Sequence, residues 1–212
     1  MNSLARPRWW QLLLLVVALA AGLGWMRLAR PPLPPGNLEG STLGGPFRLT
    51  DQNGHAVQDT DFAGKYRLVY FGYSFCPDIC PNDLAAVARG VDKFAREHPD
   101  LAGKVVPIFI TLDPARDTPE QIKPFVAAFG PRLLGLTGTP EQTAALARAY
   151  GISWRKVDTG DPENYLIDHA SLVSLYGPQG QPIAMLKNGA QVAPAELFTA
   201  GNIAALLAAR VR

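Results

Sequence analysis

In Leu68-Val69-Tyr70-Phe71-Gly72-Tyr73-Ser74-Phe75-Cys76-Pro77-Asp78-Ile79-Cys80-Pro81, an apolar β-rich run breaks into a loop that carries both cysteines of the chain. Leu68 to Phe71 has the composition of a strand buried on both faces. A helix is expected from Pro81 to Glu97, since Leu84, Val87, Ala88, Val91 and Phe94 recur on one face and His98-Pro99 ends the pattern. The cysteine loop therefore falls at the carboxyl end of a sheet strand, where open α/β folds place their sites. With Pro81 as the first helical residue, Cys80 occupies the N-cap, and the positive end of the helix favours its thiolate.

Working outward, Val105 to Leu112 reads as a second buried strand. Thr-Pro-Glu-Gln at Thr118 and again at Thr139 starts two helices, each with a threonine N-cap, proline at the first helical position and glutamine at the third. Gly130 and Gly151 are their natural stops, and Pro124 is expected to bend or shorten the first. Leu133–Leu136 fits a short strand. Leu172–Tyr176 and Pro182–Leu186 fit a hairpin, and a last helix is expected from Pro194 to Ala209. At the front, Phe47–Thr50 and Ala56-Val57 flank the turn signal Asp51-Gln52-Asn53-Gly54. This order predicts an α/β fold, a thioredoxin-like sandwich with a mixed central sheet, over residues 45–212.

The first segment reads as an address. Trp9 to Met26 is apolar apart from Gln11, is flanked by Arg6, Arg8, Arg27 and Arg30, and has tryptophans near both ends. Its length matches the short end of a membrane-spanning helix, about 17–25 residues. Residues 1–29 are expected to be an N-terminal transmembrane anchor; a signal peptide cleaved after Ala18-Leu19-Ala20 is the alternative, and both export the same domain. Residues 30–44, opening with Arg30-Pro31-Pro32-Leu33-Pro34-Pro35-Gly36, are expected to be a stiff linker. No Arg/Ser-rich leader precedes the apolar segment, which favours the cytoplasmic (inner) membrane of a bacterium, crossed once, with the folded domain in the periplasm. The net charge of +2 comes from the four arginines of residues 1–30; the rest has 16 basic and 18 acidic residues. A near-neutral body without a basic stripe excludes nucleic acid as a partner.

Two cysteines four apart around a helix start fall within disulfide reach, about 5–6 Å between Cα atoms, and can equally point both sulfurs at one ion. The loop is one residue wider than the usual exchange motif Cys-x-x-Cys, which favours a metal modestly. Of the three histidines, His55 reads as a solvated hairpin residue and His98 as a helix-end cation. His169 lies in Tyr165-Leu166-Ile167-Asp168-His169, a loop leading into the strand Leu172–Tyr176, and in a thioredoxin-like sheet that approach runs beside the cysteine loop. Asp78 and Asp113 are candidate oxygen donors, and Asp168 a candidate partner for the His169 ring. Cys₂His with a water is also a zinc set, but no glutamate or further histidine stands near to act as base or fourth ligand.

These segments together resemble the Sco/SenC family, the copper chaperones of cytochrome c oxidase assembly. The likeness runs over roughly residues 45–210 and is carried by Phe47–Gly54, Tyr70–Pro81, Leu112-Asp113-Pro114-Ala115-Arg116-Asp117-Thr118-Pro119 and Tyr165–His169. The one departure is Ala170 after the histidine, where a small hydroxyl residue is expected. The resemblance implies that Cys76, Cys80 and His169 are the copper ligands. Such a soft, sulfur-rich set suits Cu(I), with Cu(II) also accommodated. It implies delivery to cytochrome c oxidase subunit II or another copper protein. A second role in the same family uses Cys76 and Cys80 as a redox pair, which would make the chain a thiol-disulfide reductase acting on oxidase cysteines or other exported proteins.

Overall fold

The computed structural model describes residues 37–161, 164–189 and 191–212, together with helical positions 9, 11, 13, 14 and 16–19 near the N-terminus. The chain divides into two units, Met1–Pro35 and Gly36–Arg212. In the first, most of the expected anchor and all of Arg30–Pro35 lie outside the described residues. Among the described residues, no helix is long and apolar enough to cross a membrane.

The second unit is built on a seven-stranded mixed sheet. In chain order its strands are β1 (Arg48–Asp51), β2 (Ala56–Gln58), β3 (Tyr66–Gly72), β4 (Val105–Thr111), β5 (Leu134–Thr137), β8 (Leu172–Tyr176) and β9 (Pro182–Lys187). Their spatial order is β2-β1-β5-β4-β3-β8-β9. β3, β4 and β5 run parallel, while β1 and β8 flank them antiparallel. β3 is buried along its whole length, which explains its unbroken apolar composition. The intervening β6 (Trp154–Val157) and β7 (Leu166–His169) form a separate antiparallel ribbon, in which Trp154 faces His169.

Four helices complete the unit: α1 (Ile79–Glu97), α2 (Pro119–Ala127), α3 (Pro140–Ala149) and α4 (Ala200–Arg210). Side chains alternate across the sheet, so Tyr70 and Phe71 report on opposite faces. Tyr70 meets α1 through Asp83 and packs on Phe198 just before α4. Phe109, its neighbour in register, packs on Phe125 of α2. Phe71 instead meets Tyr150, the residue that ends α3. Helices α1, α2 and α4 thus cover one face and α3 the other, the mixed thioredoxin-like sandwich expected from the order of elements.

Boundaries differ in instructive ways. α1 begins at Ile79 with Asp78 as its N-cap, so Cys80 lies inside the first turn and is not the cap. Pro81 falls within that first turn, where a missing N–H costs little. Pro124 is inside α2, which is short at nine residues. Only the second Thr-Pro-Glu-Gln forms the full capping box, Thr139 with Gln142; Thr118 makes no side-chain cap bond. The last helix starts at Ala200, capped by Thr199, after a separate 3₁₀ turn at Pro194–Glu196. Ahead of Gly45 the chain already packs: Leu38 is buried, and the Asn37 amide brackets the backbone of Met185 on the outer edge of β9. A side-chain amide there occupies an edge that would otherwise pair with another strand.

Gly72 ends β3 directly beneath the buried sulfur of Cys80. A Cβ at this position would lie 2.8 Å from the Tyr70 ring, 3.1 Å from Cys80 Sγ and 3.3 Å from the Phe109 ring. Gly72→Ala is expected to lower stability by about 1–3 kcal/mol, the usual cost of overpacking a core. Gly103→Ala, with open space around it, is expected to stay within about 0.5 kcal/mol of the parent. Urea unfolding of both variants checks the contrast.

Candidate functional site

The loop after β3 and the end of β7 meet above the carboxyl edge of the sheet. Both cysteines are free thiols; Cys80 is fully buried and Cys76 half-buried. The backbone N–H of Cys80 donates to Cys76 Sγ at 3.3 Å. Cys80 Sγ lies 3.4 Å from His169 Nε2. His169 Nδ1 is 3.1 Å from the carbonyl oxygen of Ala170. A carbonyl only accepts, so Nδ1 donates to Ala170, and Nε2 is the ring nitrogen turned to the sulfur. Tyr70 and Tyr73 hold the ring edge-on, each with centroids at 6.2 Å. Cys76 and His169 line an open cleft of about 260 Å³ with Tyr73, Pro77, Ile79 and Leu166, while Cys80 sits behind it.

The two thiols are electrostatically unequal. Donation from Cys80, reinforced against burial by the N–H groups of Cys80 and Asp78 and by the Tyr73 hydroxyl, lowers the Cys76 pKa to about 5. Cys80 is pushed up, first by its hydrogen bond to the Cys76 sulfur and then by burial. At neutral pH, Cys76 is a thiolate at the mouth and Cys80 a protonated thiol behind it. Burial likewise raises Tyr73, to about 12, keeping its hydroxyl a donor.

The loop is held from behind by a carboxylate that sequence reasoning passed over. Asp117 is fully buried and accepts from the Ser74 N–H at 2.9 Å, the Ser74 hydroxyl and the Thr111 hydroxyl. Burial raises its pKa against those donors. Nearby, Arg116 donates to Asp113, stacks 3.6 Å from the Tyr165 ring centroid and lies 4.7 Å from that of Phe75. The Tyr165 hydroxyl donates to the other Asp113 oxygen at 2.5 Å. This joins the residue before Cys76 to the start of the strand that ends in His169. The Asp-Pro-x-Arg-Asp spacing was the available signal, but ordinary turn chemistry accounts for it equally well.

Several expected roles fall elsewhere. Asp168 does not orient His169: successive strand side chains point apart, and its carboxylate pairs with Arg155 at 3.0 Å while the Ala170 carbonyl takes Nδ1. Asp113 is committed to Tyr165 and Arg116, which removes it as an oxygen donor to the cleft. Asp78 lines the cleft, accepting from Asn82 at 2.8 Å. His55 is exposed beside Asp51, and His98 caps α1 against Phe94. His169 sits at a strand end and not in a loop. Among the described residues, no group of three or more His, Cys, Asp or Glu side chains is placed to hold a metal ion.

The fold and site define a thioredoxin-like domain whose paired thiols face a histidine. A family model described as SCO1/SenC matches residues 35–200. The mitochondrial SCO1 homolog of Homo sapiens is 41% identical over 141 residues, 66% of this chain and 46% of that protein. The chain thus spans about half the length of that relative. Bradyrhizobium japonicum ScoI with copper bound superposes with a TM-score of 0.66 at 37% identity, covering 78% of this chain and 98% of that one. BsSco, a Sco-family cytochrome c oxidase assembly protein with a disulfide switch, matches at a TM-score of 0.56 and 25% identity over 73% of this chain and 85% of that one. The chain belongs to the SCO1/SenC family.

The depressed Cys76 pKa fixes a pH signature. Only thiolate attacks an alkylating agent, so lowering the pH through the Cys76 pKa removes reactivity. In the reduced, metal-free protein, the Cys76 alkylation rate is expected to stay level from about pH 8 to about pH 6, with its midpoint near pH 5. An ordinary thiol would lose rate from about pH 8.5 downward. Iodoacetamide labelling with mass-spectrometric site assignment measures the curve.

Proposed function

We propose that the domain binds one copper through Cys76, Cys80 and His169 and delivers it to the dinuclear copper site of cytochrome c oxidase subunit II or to another copper protein. The observation that carries this reading is the placement of His169, whose Nδ1 is committed to the Ala170 carbonyl and whose Nε2 faces the Cys80 sulfur at 3.4 Å. Copper is cargo here. Cys76 supplies a thiolate at the mouth, binding expels the Cys80 proton, and His169 adds a neutral nitrogen, a set soft enough for Cu(I). Three protein donors leave a position open for an incoming ligand from the acceptor. Family membership and the copper-bound Bradyrhizobium relative support copper as the metal, and the kinship with BsSco supports oxidase assembly as the setting.

The N-terminal unit fits an anchor in the inner membrane of a bacterium, with the domain in the periplasm. Its described helical residues Leu13, Leu14, Val16, Val17 and Leu19 are 54–66% exposed, an arrangement suited to lipid and costly in water. Tethering confines the search for an acceptor to the membrane surface and raises its effective concentration.

A second reading is favoured by the inequality of the thiols. The Cys76 thiolate would attack a target disulfide, forming a mixed disulfide and releasing one target thiolate. Cys80 would then lose its proton and attack Cys76 Sγ, closing Cys76–Cys80 and freeing the second target thiolate.

His169→Ala separates the two. Residues 36–212, purified reduced and anaerobic, are expected to bind one Cu(I) per chain. Replacing Cys76, Cys80 or His169 with alanine should abolish tight binding, while the His169 variant still reduces a model disulfide. Tight binding that survives His169→Ala would remove the imidazole from the site. No binding above adventitious copper, with exchange intact, would put the reductase in the chaperone's place.

A further inference from the structure

One turn beyond Cys80, α1 buries a charge. Asp83 is 6% exposed, and the other buried residues of α1 are Cys80, Leu84, Ala86, Val87, Gly90, Val91 and Phe94. A leucine there would cost the helix nothing, whereas a carboxylate must be matched by donors to be tolerated. It is matched from three separate parts of the chain. Oδ2 accepts from the Tyr70 hydroxyl of β3 at 3.0 Å and from the Ser171 hydroxyl at 2.5 Å. Oδ1 accepts from the Asn188 amide, just past β9, at 3.2 Å. Asn188 also grips Ser171, through its amide to the hydroxyl at 3.1 Å and through its backbone N–H to the carbonyl at 3.2 Å.

Ser171 stands two residues after His169, where the ribbon hands over to β8. Tyr70, the other hydroxyl donor, is the ring that meets His169 edge-on. Asp83 therefore grips the chain just beyond the histidine from the same helix that carries Cys80, and both grips converge on one carboxylate. The 3.4 Å separation between Cys80 Sγ and His169 Nε2 lies beside this bridge, and the Asp168 carboxylate is turned to Arg155 instead.

We propose that Asp83 is a positioning residue, fixing the register between the Cys80 helix and the His169 strand so that the imidazole stays opposite the thiols. As a role in metal capture, this rests on the copper reading; as a role in placing His169, it does not. Residues that orient metal ligands typically contribute 10–100-fold in affinity. The hydroxyl of Ser171, one residue later than the departure at Ala170, supplies the bond that matters here.

Asp83→Leu replaces the carboxylate with a larger apolar side chain and removes every acceptor. Asp83→Asn keeps an oxygen for the two hydroxyls, and a rotated Asn188 amide can accept from the new NH₂. The expected result is Cu(I) binding weakened about 10–100-fold in Asp83→Leu and within about threefold of the parent in Asp83→Asn. In metal-free protein, ¹⁵N spectra of the His169 ring should show the single Nδ1–H tautomer in the parent and the Asn variant, and a tautomer mixture in Asp83→Leu. Dithiol alkylation should continue in all three. Ser171→Ala is the second variant should Asp83→Leu fail to fold, and the same tautomer mixing is expected of it. Parental affinity and an unmixed tautomer in a folded Asp83→Leu or Ser171→Ala protein would overturn the proposal, as would a lowered melting temperature with the His169 spectrum unchanged. If His169→Ala itself binds copper as tightly as the parent, the ligand assignment has failed, and the metal-free His169 spectrum decides on Asp83 alone.

Discussion

The contact between a buried thiol and a buried-side imidazole, Cys80 against His169, orders everything around it. Cys80 has no exposed surface and lies over Gly72, the strand end that leaves it just enough room. Around it stand the Cys76 sulfur, the His169 ring nitrogen, the Tyr73 N–H and the Tyr70 hydroxyl, and burial leaves it no other partners to exchange with. The consequence is a division of labour. The inner sulfur keeps its proton and gives a hydrogen bond, and the outer one becomes an anion at low cost. An isolated pair on a flexible loop would titrate more nearly alike.

Such an arrangement needs the loop and the histidine strand to be rigid relative to the sheet, since a 3.4 Å contact across 89 residues of sequence does not form by local preference. The rigidity comes from buried carboxylates rather than from apolar packing alone. Asp117 takes the loop at Ser74, Asp113 takes Tyr165, and Asp83 takes Ser171. Each is expensive to bury and each is satisfied by hydroxyl or N–H donors, so each specifies one arrangement where apolar side chains would permit several. This network lies at the carboxyl edge of the parallel strands; at the opposite edge, the buried carboxylate of Asp51 accepts the Asn53 and His55 N–H groups of its own turn and ties no distant segments together.

What the sequence made legible follows the same division. Strands β3 and β4 and helix α1 were readable because burial on both faces or on one stripe leaves a periodic mark. The paired thiols were readable because nothing else in the chain contains cysteine. The β6–β7 ribbon left no such mark: Trp154-Arg155-Lys156-Val157 is exposed and mixed in character, and its pairing with Leu166–His169 depends on contacts outside both segments. The helix start was read two residues late because proline at the first turn is compatible with more than one position. Asp83, and the part Asp117 plays within the Asp-Pro-x-Arg-Asp run, were hidden for a plainer reason. An acid near a helix start or after a turn is ordinary surface composition until the partners that bury it are known.

The copper and redox readings use the same atoms, and this makes them exclusive at any moment without making them incompatible. A Cys76–Cys80 disulfide has no thiolate to offer a metal, and a metal holding both sulfurs leaves neither free to attack. Whichever ligand or oxidant acts on the reduced pair first therefore excludes the other through mass action. The low Cys76 pKa favours both outcomes, since a thiolate is at once the better metal ligand and the better nucleophile. The imidazole breaks the tie. A disulfide exchange gains little from a neutral nitrogen beside the resolving thiol, whereas a soft cation gains a third bond from it. The placement of His169 Nε2 against the Cys80 sulfur is therefore the feature that the proposed metal role would use and the redox role would not.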